Sequence, residues 1–332
     1  MRFTRTTAQQ DMAESLRALL TGADGPAVAR AWAGGDAAPW WGCWERLGEV
    51  GVCGVAVPGE LGGLGLGAVE TAVCLEELGY AGLPGPVVET VAVAPALLAG
   101  SDDQHRLPEL AVGRAVFAVA FDEVVPRALD ADVAAAAYRC AGPQVFRAEP
   151  VGAPERSIDP ARRLCALGSA GTAVAGAHPA AAFDAGVLAC AAQLLGIGRR
   201  LLDDSVRHVR DRHQFGRPVG SFQAVKHRLA DVALRLEFAR PLLHGACLSR
   251  DAGTPLAPRD ASAAKLAAAE AAHLAARTAL QVHGAIGYTA EHPLHLWSLK
   301  ATALRGAWGG PSWHRRRIAD ALATGNTTNI GT

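Results

Sequence analysis

The sequence predicts a mainly α-helical fold with a small β domain in the middle. Apolar residues recur at helical spacing in the first and last parts of the 332-residue chain, whereas short β-branched or aromatic runs occupy its centre. The expected organisation is an N-terminal helical domain (residues 1–107), a reduced β-sheet domain (108–178) and a C-terminal four-helix bundle (179–332).

The first block is predicted to hold four helices separated by glycine and proline. Glu76 and Glu77 are expected on the polar face of the third helix, and "GELGGLGLG" (59–67) is too rich in glycine for a helix or a strand. The predicted helices cover residues 12–20, 40–50, 68–78 and 87–98.

The second block changes to the period of a strand. "AVFAVAF", "QVFRAEPV" and "RLCALG" are short runs cut by Pro, Gly and Asp, and they predict three strands at 115–121, 144–151 and 163–168. The alanine-rich segment 131–137 fits a strand or a helix equally well. The block predicts a small sheet.

The third block is predicted to be helical throughout. Long amphipathic segments joined by short turns are typical of a helical bundle. The expected helices cover residues 183–212, 222–250, 258–282, 294–304 and 314–322, with "QFG" at Gln214, Phe215 and Gly216 forming the turn between the first two.

The bulk composition excludes several classes of function. The 32 basic and 32 acidic residues balance, which argues against nucleic acid or an anionic membrane as the main partner. The seven cysteines show no metal-ligand spacing and are expected to be small buried hydrophobes in a reducing compartment. We expect no signal peptide, no apolar run long enough to span a membrane, no metal site and a cytoplasmic protein.

Three stretches resemble the acyl-CoA dehydrogenase family. They are "GVAVPGELGGLGLGAVETAVCLEELGYAGLPGP" in the first block, and "RDRHQFGRPVGSFQAVKHRLAD" and "QVHGAIGYTAEHPL" in the third. The resemblance implies oxidation of an acyl-CoA thioester to its α,β-enoyl form. In this family a glutamate removes the α-proton and FAD accepts the β-hydride.

The resemblance implies a set of cofactor-binding residues that serve the flavin of a neighbouring subunit. Arg212 matches the family arginine on the flavin pyrophosphate, to which a guanidinium offers a planar pair of donors. Gln281 and Gly284 match the family's "QxxGG" loop, with Ala285 in place of the second glycine. The full predicted set is Arg212, Phe215, Gln223, Gln281, His283 and Gly284.

The residues that a subunit needs for its own chemistry are mostly replaced. Asp184 is kept from the family's Phe-Asp-x-x-Arg turn and is the predicted substrate contact, whereas Val187 replaces the arginine. The two positions at which family members carry the catalytic glutamate are Gly186 and Trp308, so no catalytic residue is predicted in this chain. The sheet block also lacks the segments that cradle the flavin ring.

The pattern of loss resembles the short, catalytically incomplete subunits of heteromeric, actinobacterial acyl-CoA dehydrogenases. The implied protein is one subunit of an α2β2 complex in lipid metabolism, such as sterol degradation, that shares FAD with a full-length partner subunit and acts on an acyl-CoA. The alternative is a flavin-free protein on this scaffold, with non-redox activity on a thioester or polyketide-like intermediate, or with a scaffolding role. The small residues Gly186, Val187 and Gly309 suggest an enlarged cavity.

Overall fold

The structure is a computed structural model that describes residues 4–327. Its N-terminal part is a set of short helices around a tryptophan core, in which the rings of Trp40 and Trp44 stack 4.9 Å apart and both are fully buried. A π-helical turn, Glu89–Val93, leads directly into the short helix that begins at Ala94. The α-helices are α1 (Thr7–Thr21), α2 (Gly25–Ala33), α3 (Ala38–Glu49), α4 (Ala68–Ala81), α5 (Ala94–Leu98) and α6 (Leu107–Ala111).

The placement of Glu76 and Glu77 on a polar helix face is wrong, because both carboxylates are buried. Arg199 bridges them, with 2.7 Å contacts to each, and Arg17 adds a 3.1 Å contact to Glu77. Burial opposes ionisation of Glu77, but its hydrogen bond to Arg17 and the charge of Arg199 hold its pKa below the usual range. The charged network thus joins the first helices to the bundle.

The middle of the chain forms two small sheets. A four-stranded sheet has the order β1-β3-β4-β7, with β1 parallel to β3 and the other pairs antiparallel, and a three-stranded sheet has the order β2-β6-β5. The ambiguous segment 131–137 is a turn that leads into β3, and the predicted strand 144–151 is split between β4 and β5. The strands are β1 (Phe117–Phe121), β2 (Ala128–Leu129), β3 (Ala136–Ala141), β4 (Gln144–Arg147), β5 (Pro150–Arg156), β6 (Arg163–Leu167) and β7 (Thr172–Ala173).

The C-terminal part is the predicted bundle, and α7 packs against both α4 and α9. The turn between α7 and α8 is a two-stranded hairpin of β8 and β9. A buried ion pair of 3.0 Å between Lys300 and Asp159 joins the bundle to the loop between β5 and β6 of the three-stranded sheet. The elements are α7 (Pro179–Asp211), β8 (His213–Gln214), β9 (Arg217–Pro218), α8 (Gln223–Asp251), α9 (Ala257–His283), α10 (Leu294–Gly306) and α11 (Pro311–Thr327).

One expectation about the bundle is wrong. The helix α7 is long and apolar enough to cross a membrane by length and composition, whereas the sequence was expected to contain no such run. Because 83% of its most apolar window is buried inside the molecule, α7 has the surroundings of a core helix. All seven cysteines are free and buried, as predicted.

Candidate functional site

Gly186 and Trp308, the two positions at which family members carry the catalytic glutamate, lie against each other. A Cβ atom built on Gly186 would lie 2.3 Å from Cζ3 of the Trp308 indole, so no larger residue fits there while the indole is present. Trp308 is 2% exposed and has a φ of +56°, a left-handed conformation that a tryptophan seldom adopts. The expectation of an enlarged cavity at this place is therefore wrong, because the Trp308 side chain fills it.

Aromatic rings surround the indole. The ring centroid of Trp308 lies 5.7 Å from that of Phe121 at the end of β1, and 6.0 Å from that of Phe183 on α7. Trp313 adds an edge contact to Phe183 at 5.4 Å. Such tilted and edge-on pairs are favourable arrangements for aromatic rings. The wall they form separates Trp308 from the outside.

Two buried basic side chains hold the segment that carries Trp308. The Lys265 ammonium group donates to the carbonyl oxygens of Leu304 at 3.0 Å and Gly309 at 3.4 Å, so it stabilises the C-terminal end of α10. Nε2 of His314 lies 3.1 Å from the carbonyl oxygen of Trp308. Burial lowers the pKa of His314 to about 4, so at neutral pH the ring is neutral and donates this hydrogen bond.

Asp184, the predicted substrate contact, has a protein partner instead. Its carboxylate accepts a 2.7 Å charged hydrogen bond from Arg317 on α11, and Arg317 also lies over the rings of Phe183 and Trp313. In the basic run at the start of α11, His314 is buried and Arg317 is partly buried in this ion pair.

A cavity of about 770 Å³ lies outside the aromatic wall, between the end of β1 and the start of α7. Phe121, Phe183 and Trp313 give it an apolar side, and Arg317 and Glu123 are charged groups on its lining. Asp184 does not line it. The cavity has room for part of a small organic molecule, and Trp308 packs behind the rings of Phe121 and Phe183 that line it.

Glu89 is an acidic residue near Trp308 that the sequence motifs do not single out. It lies in the π-helical turn, its side chain is 2% exposed, and its Oε2 atom has no hydrogen-bond partner among the described residues. Burial raises its pKa to about 7, while the charge of Arg162 and, to a smaller extent, the Trp308 side chain favour the ionised form. The clue in the sequence is a single acid inside an otherwise apolar helical run.

The predicted cofactor-binding residues gather at the opposite end of α7. Arg212 follows the last residue of α7, Gln223 is the first residue of α8, and Gln281 lies in the last turn of α9. All three are exposed. Because α7, α8 and α9 pack side by side, these helix ends meet at one end of the bundle.

Phe215 lies at the tip of the hairpin between α7 and α8. Phe215 and Gly216 have φ values of +53° and +76°, the signature of a two-residue type I′ turn. Glycine tolerates this conformation, but phenylalanine is strained in it, and the Phe215 side chain is 90% exposed. A strained, exposed aromatic residue is the kind of feature that a binding surface retains.

The last two predicted contacts differ in accessibility. Gly284 is exposed and has a φ of +61°, which suits a close backbone approach. His283 is buried, stacks on His208 with ring centroids 4.2 Å apart, and places Nδ1 2.7 Å from the Ala279 carbonyl oxygen. Its imidazole therefore packs inside the bundle, contrary to the predicted contact with the cofactor.

Comparisons with known proteins agree with this architecture. The family descriptions "Acyl-CoA dehydrogenase, N-terminal domain" and "Acyl-CoA dehydrogenase, C-terminal domain" match residues 6–114 and 177–323. The protein "Acyl-CoA dehydrogenase IpdE2" of Mycobacterium tuberculosis is 36% identical over 298 residues, which cover 88% of this chain and 90% of that protein. The chain belongs to the acyl-CoA dehydrogenase family.

Further relatives of this acyl-CoA dehydrogenase include "Acyl-CoA dehydrogenase FadE27" of Mycobacterium tuberculosis, which is 31% identical, with coverage of 84% of this chain and 87% of that one. Among solved structures, one described as "Crystal structure of the ChsE4-ChsE5 complex from Mycobacterium tuberculosis" matches with a TM-score of 0.83 and 26% identity, and covers 97% of this chain and 99% of the matched chain. The predicted family and fold are confirmed.

Proposed function

We propose that this acyl-CoA dehydrogenase chain is the subunit of a hetero-oligomer that lends an adenosine-diphosphate half-site to its partner's FAD and has no catalytic base of its own. The observation that carries the proposal is the contact between Gly186 and Trp308. Both positions at which the family places a glutamate are occupied by residues that cannot accept a proton, and the indole fills the space between them.

The described residues fit one half of the cofactor and not the other. Arg212, Phe215 and Gln223 are exposed at one end of the bundle, where a neighbouring subunit can reach them. At the other end, Trp308, Phe121 and Phe183 pack together at the site a flavin ring and a thioester would need. The bound flavin would accept the β-hydride of the acyl group, and a glutamate of the partner would remove the α-proton.

The relatives support a partner that is itself an acyl-CoA dehydrogenase. The matched ChsE4-ChsE5 structure is a complex of two different chains. By analogy we propose an α2β2 complex in which a full-length family member supplies the flavin-ring site and the base. We further propose that the complex acts in the cytoplasm on a bulky acyl-CoA of lipid or sterol degradation.

The test is co-expression of this chain with a full-length acyl-CoA dehydrogenase encoded near it, followed by measurement of the flavin-to-chain ratio. One flavin per two chains is expected in the complex, and no bound flavin on the chain alone. Stoichiometric flavin on the isolated homo-oligomer would contradict the proposal. A stable flavin-free homodimer that joins no partner would favour the alternative of a flavin-free scaffold.

Arg212→Ala sharpens this test. Loss of a guanidinium that donates to a pyrophosphate is expected to weaken FAD retention in the complex about tenfold or more. Arg156→Ala, which removes an exposed arginine of β5 at a distance from the bundle end, is the matched control and should retain FAD as the wild type does. Equal flavin loss in both variants would argue against a specific role for Arg212.

A further inference from the structure

Three histidine rings pack against one another at one end of the bundle. His208 lies on α7, His283 is the last residue of α9, and His292 lies in the segment 284–293 that leads to α10. The ring centroids of His208 and His283 are 4.2 Å apart, and those of His283 and His292 are 5.0 Å apart. The three imidazoles therefore join α7, the end of α9 and the segment 284–293 through side-chain contacts.

The hydrogen bonds around these rings suit neutral imidazoles. The Leu294 backbone N–H donates to Nδ1 of His292 at 3.2 Å, so that nitrogen must be free of a proton. Nδ1 of His283 lies 2.7 Å from the Ala279 carbonyl oxygen, so it carries the hydrogen of the neutral ring. Nε2 of His208 is buried and has no hydrogen-bond partner among the described residues. A proton added to His292 at Nδ1 would break a hydrogen bond, and a charge on His208 would have no acceptor there.

The surroundings of the three rings also oppose a positive charge. Burial is the main reason that the pKa values of His208 and His283 lie below the usual 6.5, and repulsion from neighbouring imidazoles adds to it. Asp211 beside His208 and Asp204 beside His283 act in the opposite direction without overcoming the burial. The charged and titratable groups that these contacts identify around the rings are Asp204, Asp211 and Arg212 at the end of α7, His292 before α10, His295 in the first turn of α10, and Arg30 of α2, which donates to the Ala290 carbonyl oxygen.

We propose that His208, His283 and His292 form an acid-released latch, in which the neutral rings hold the segment 284–293 against α7 and protonation frees it. Two protonated rings at these separations repel each other, and a ring that leaves the stack is solvated by water. The segment is suited to release, because it begins at the exposed Gly284 with a φ of +61° and continues as a single 3₁₀ turn, Gly284–Tyr288. The latch is a property of the chain itself and does not depend on the proposed role with a partner's flavin.

The direction of the pH effect follows from the released state. Free imidazoles in water have a pKa near 6.5, above the pKa values of His208 and His283 in the closed latch, so the open state binds protons more readily. The latch is therefore closed above about pH 6.5, and opening becomes easier as the pH falls below that value. Each histidine that gains a proton on opening raises the opening equilibrium by up to about tenfold per pH unit.

Amide hydrogen exchange of the full chain tests the latch. The amides of Thr289 and Leu294 report on the segment, since the first donates to the Ile286 carbonyl oxygen and the second to His292. After correction for the intrinsic exchange rate, their protection factors should fall roughly tenfold or more between pH 7.5 and pH 5.5. Amides in the middle of α4 should lose no protection over this range, which separates local release from global unfolding.

Two substitutions remove the titrating groups and keep the contacts. His208→Phe keeps a flat ring beside His283, and His292→Asn keeps an acceptor for the Leu294 amide, because an asparagine side chain accepts from the N–H two residues further on. In the double variant the fall in protection should shrink to about a third or less, with protection at pH 7.5 close to that of the wild type. His227→Phe, at an exposed histidine of α8 outside the stack, is the matched control and should keep the wild-type pH profile.

The wild-type chain alone can overturn the proposal, whether or not the double variant folds. Equal protection of Thr289 and Leu294 at both pH values would do so, as would an unchanged pH dependence in a folded double variant. Protection lost to the same degree at both pH values in that variant would show that the rings are structural and not a latch. NMR titration of the wild-type imidazoles is the second measurement. His208 and His283 should titrate below pH 6.5 in step with the loss of protection, and titration without that loss would contradict the latch.

Discussion

The two ends of α7 have opposite characters. Near its start, Gly186 and Phe183 are buried and the indole of Trp308 fills the space where the family's chemistry would take place. Past its end, Arg212 and Phe215 are exposed, and Phe215 is held in a strained turn. At one end the side chains are packed together, and at the other exposed polar and aromatic side chains face solvent. This difference is what a subunit that serves a neighbour's cofactor would show.

The largest expected effect tests the packing at the start of α7. Trp308→Ala removes a buried indole that touches Phe121 and Phe183, and the loss should lower the free energy of unfolding by about 3–5 kcal/mol. Chemical denaturation of the isolated chain measures this. Trp41→Ala, which truncates a half-buried tryptophan of α3, should cost less. In the complex, flavin retention should survive Trp308→Ala, and a parallel loss of flavin would break the contrast between the two ends.

A double-mutant cycle tests whether Gly186 is glycine because of Trp308. Gly186→Ala alone places a Cβ inside the indole and should cost about 1–3 kcal/mol. In the Trp308→Ala background the same methyl group has room, so its cost should largely disappear, and the two substitutions should be non-additive. Fully additive values would show that Gly186 is required for another reason.

A third effect concerns the carboxyl group beside Trp308. The pKa of Glu89 is about 7 in the folded chain, against a usual value of 4.5, so the folded state binds the proton more tightly than the unfolded state. Stability should therefore fall as the pH rises from about 4.5 to 7. Glu89→Gln should be more stable than the wild type at pH 8 by roughly 2–3 kcal/mol, and this advantage should shrink towards pH 4.5.

Thermal unfolding across pH 4–8 checks this prediction. Glu109→Gln changes an exposed carboxyl group of α6 and should leave the wild-type pH profile unchanged. If Glu89→Gln is no more stable than the wild type at pH 8, then the folded chain stabilises the charged form of Glu89. The region around Trp308 would then hold a buried charge, which apolar packing does not explain.

The sequence predicted the helices of the bundle to within a few residues. In a long helix the apolar residues recur with a period of 3.6, whichever side chains they pack against. Through the family resemblance the sequence also identified Gly186 and Trp308 as the two positions at which family members carry the catalytic glutamate. It did not predict that the indole would fill the space, because that depends on a left-handed backbone conformation at Trp308. The contacts of Asp184 with Arg317 and of His283 with His208 are likewise tertiary: residues more than 70 apart in the sequence meet there, and local periodicity says nothing of them.

The smallest expected effect tests Phe215, in the hairpin past the end of α7. Asparagine tolerates a positive φ and Asn-Gly is the preferred type I′ pair, so Phe215→Asn should stabilise the isolated chain by about 0.5–1 kcal/mol. Phe238→Asn, at an exposed aromatic position within α8, relieves no strain and should bring no such gain. If Phe215 serves the partner's flavin, the stabilised variant should also retain FAD less well in the complex. Stability gained with no loss of flavin would leave the strain at this turn without a functional reason, and the contrast between the ends of α7 would then rest on Arg212 alone.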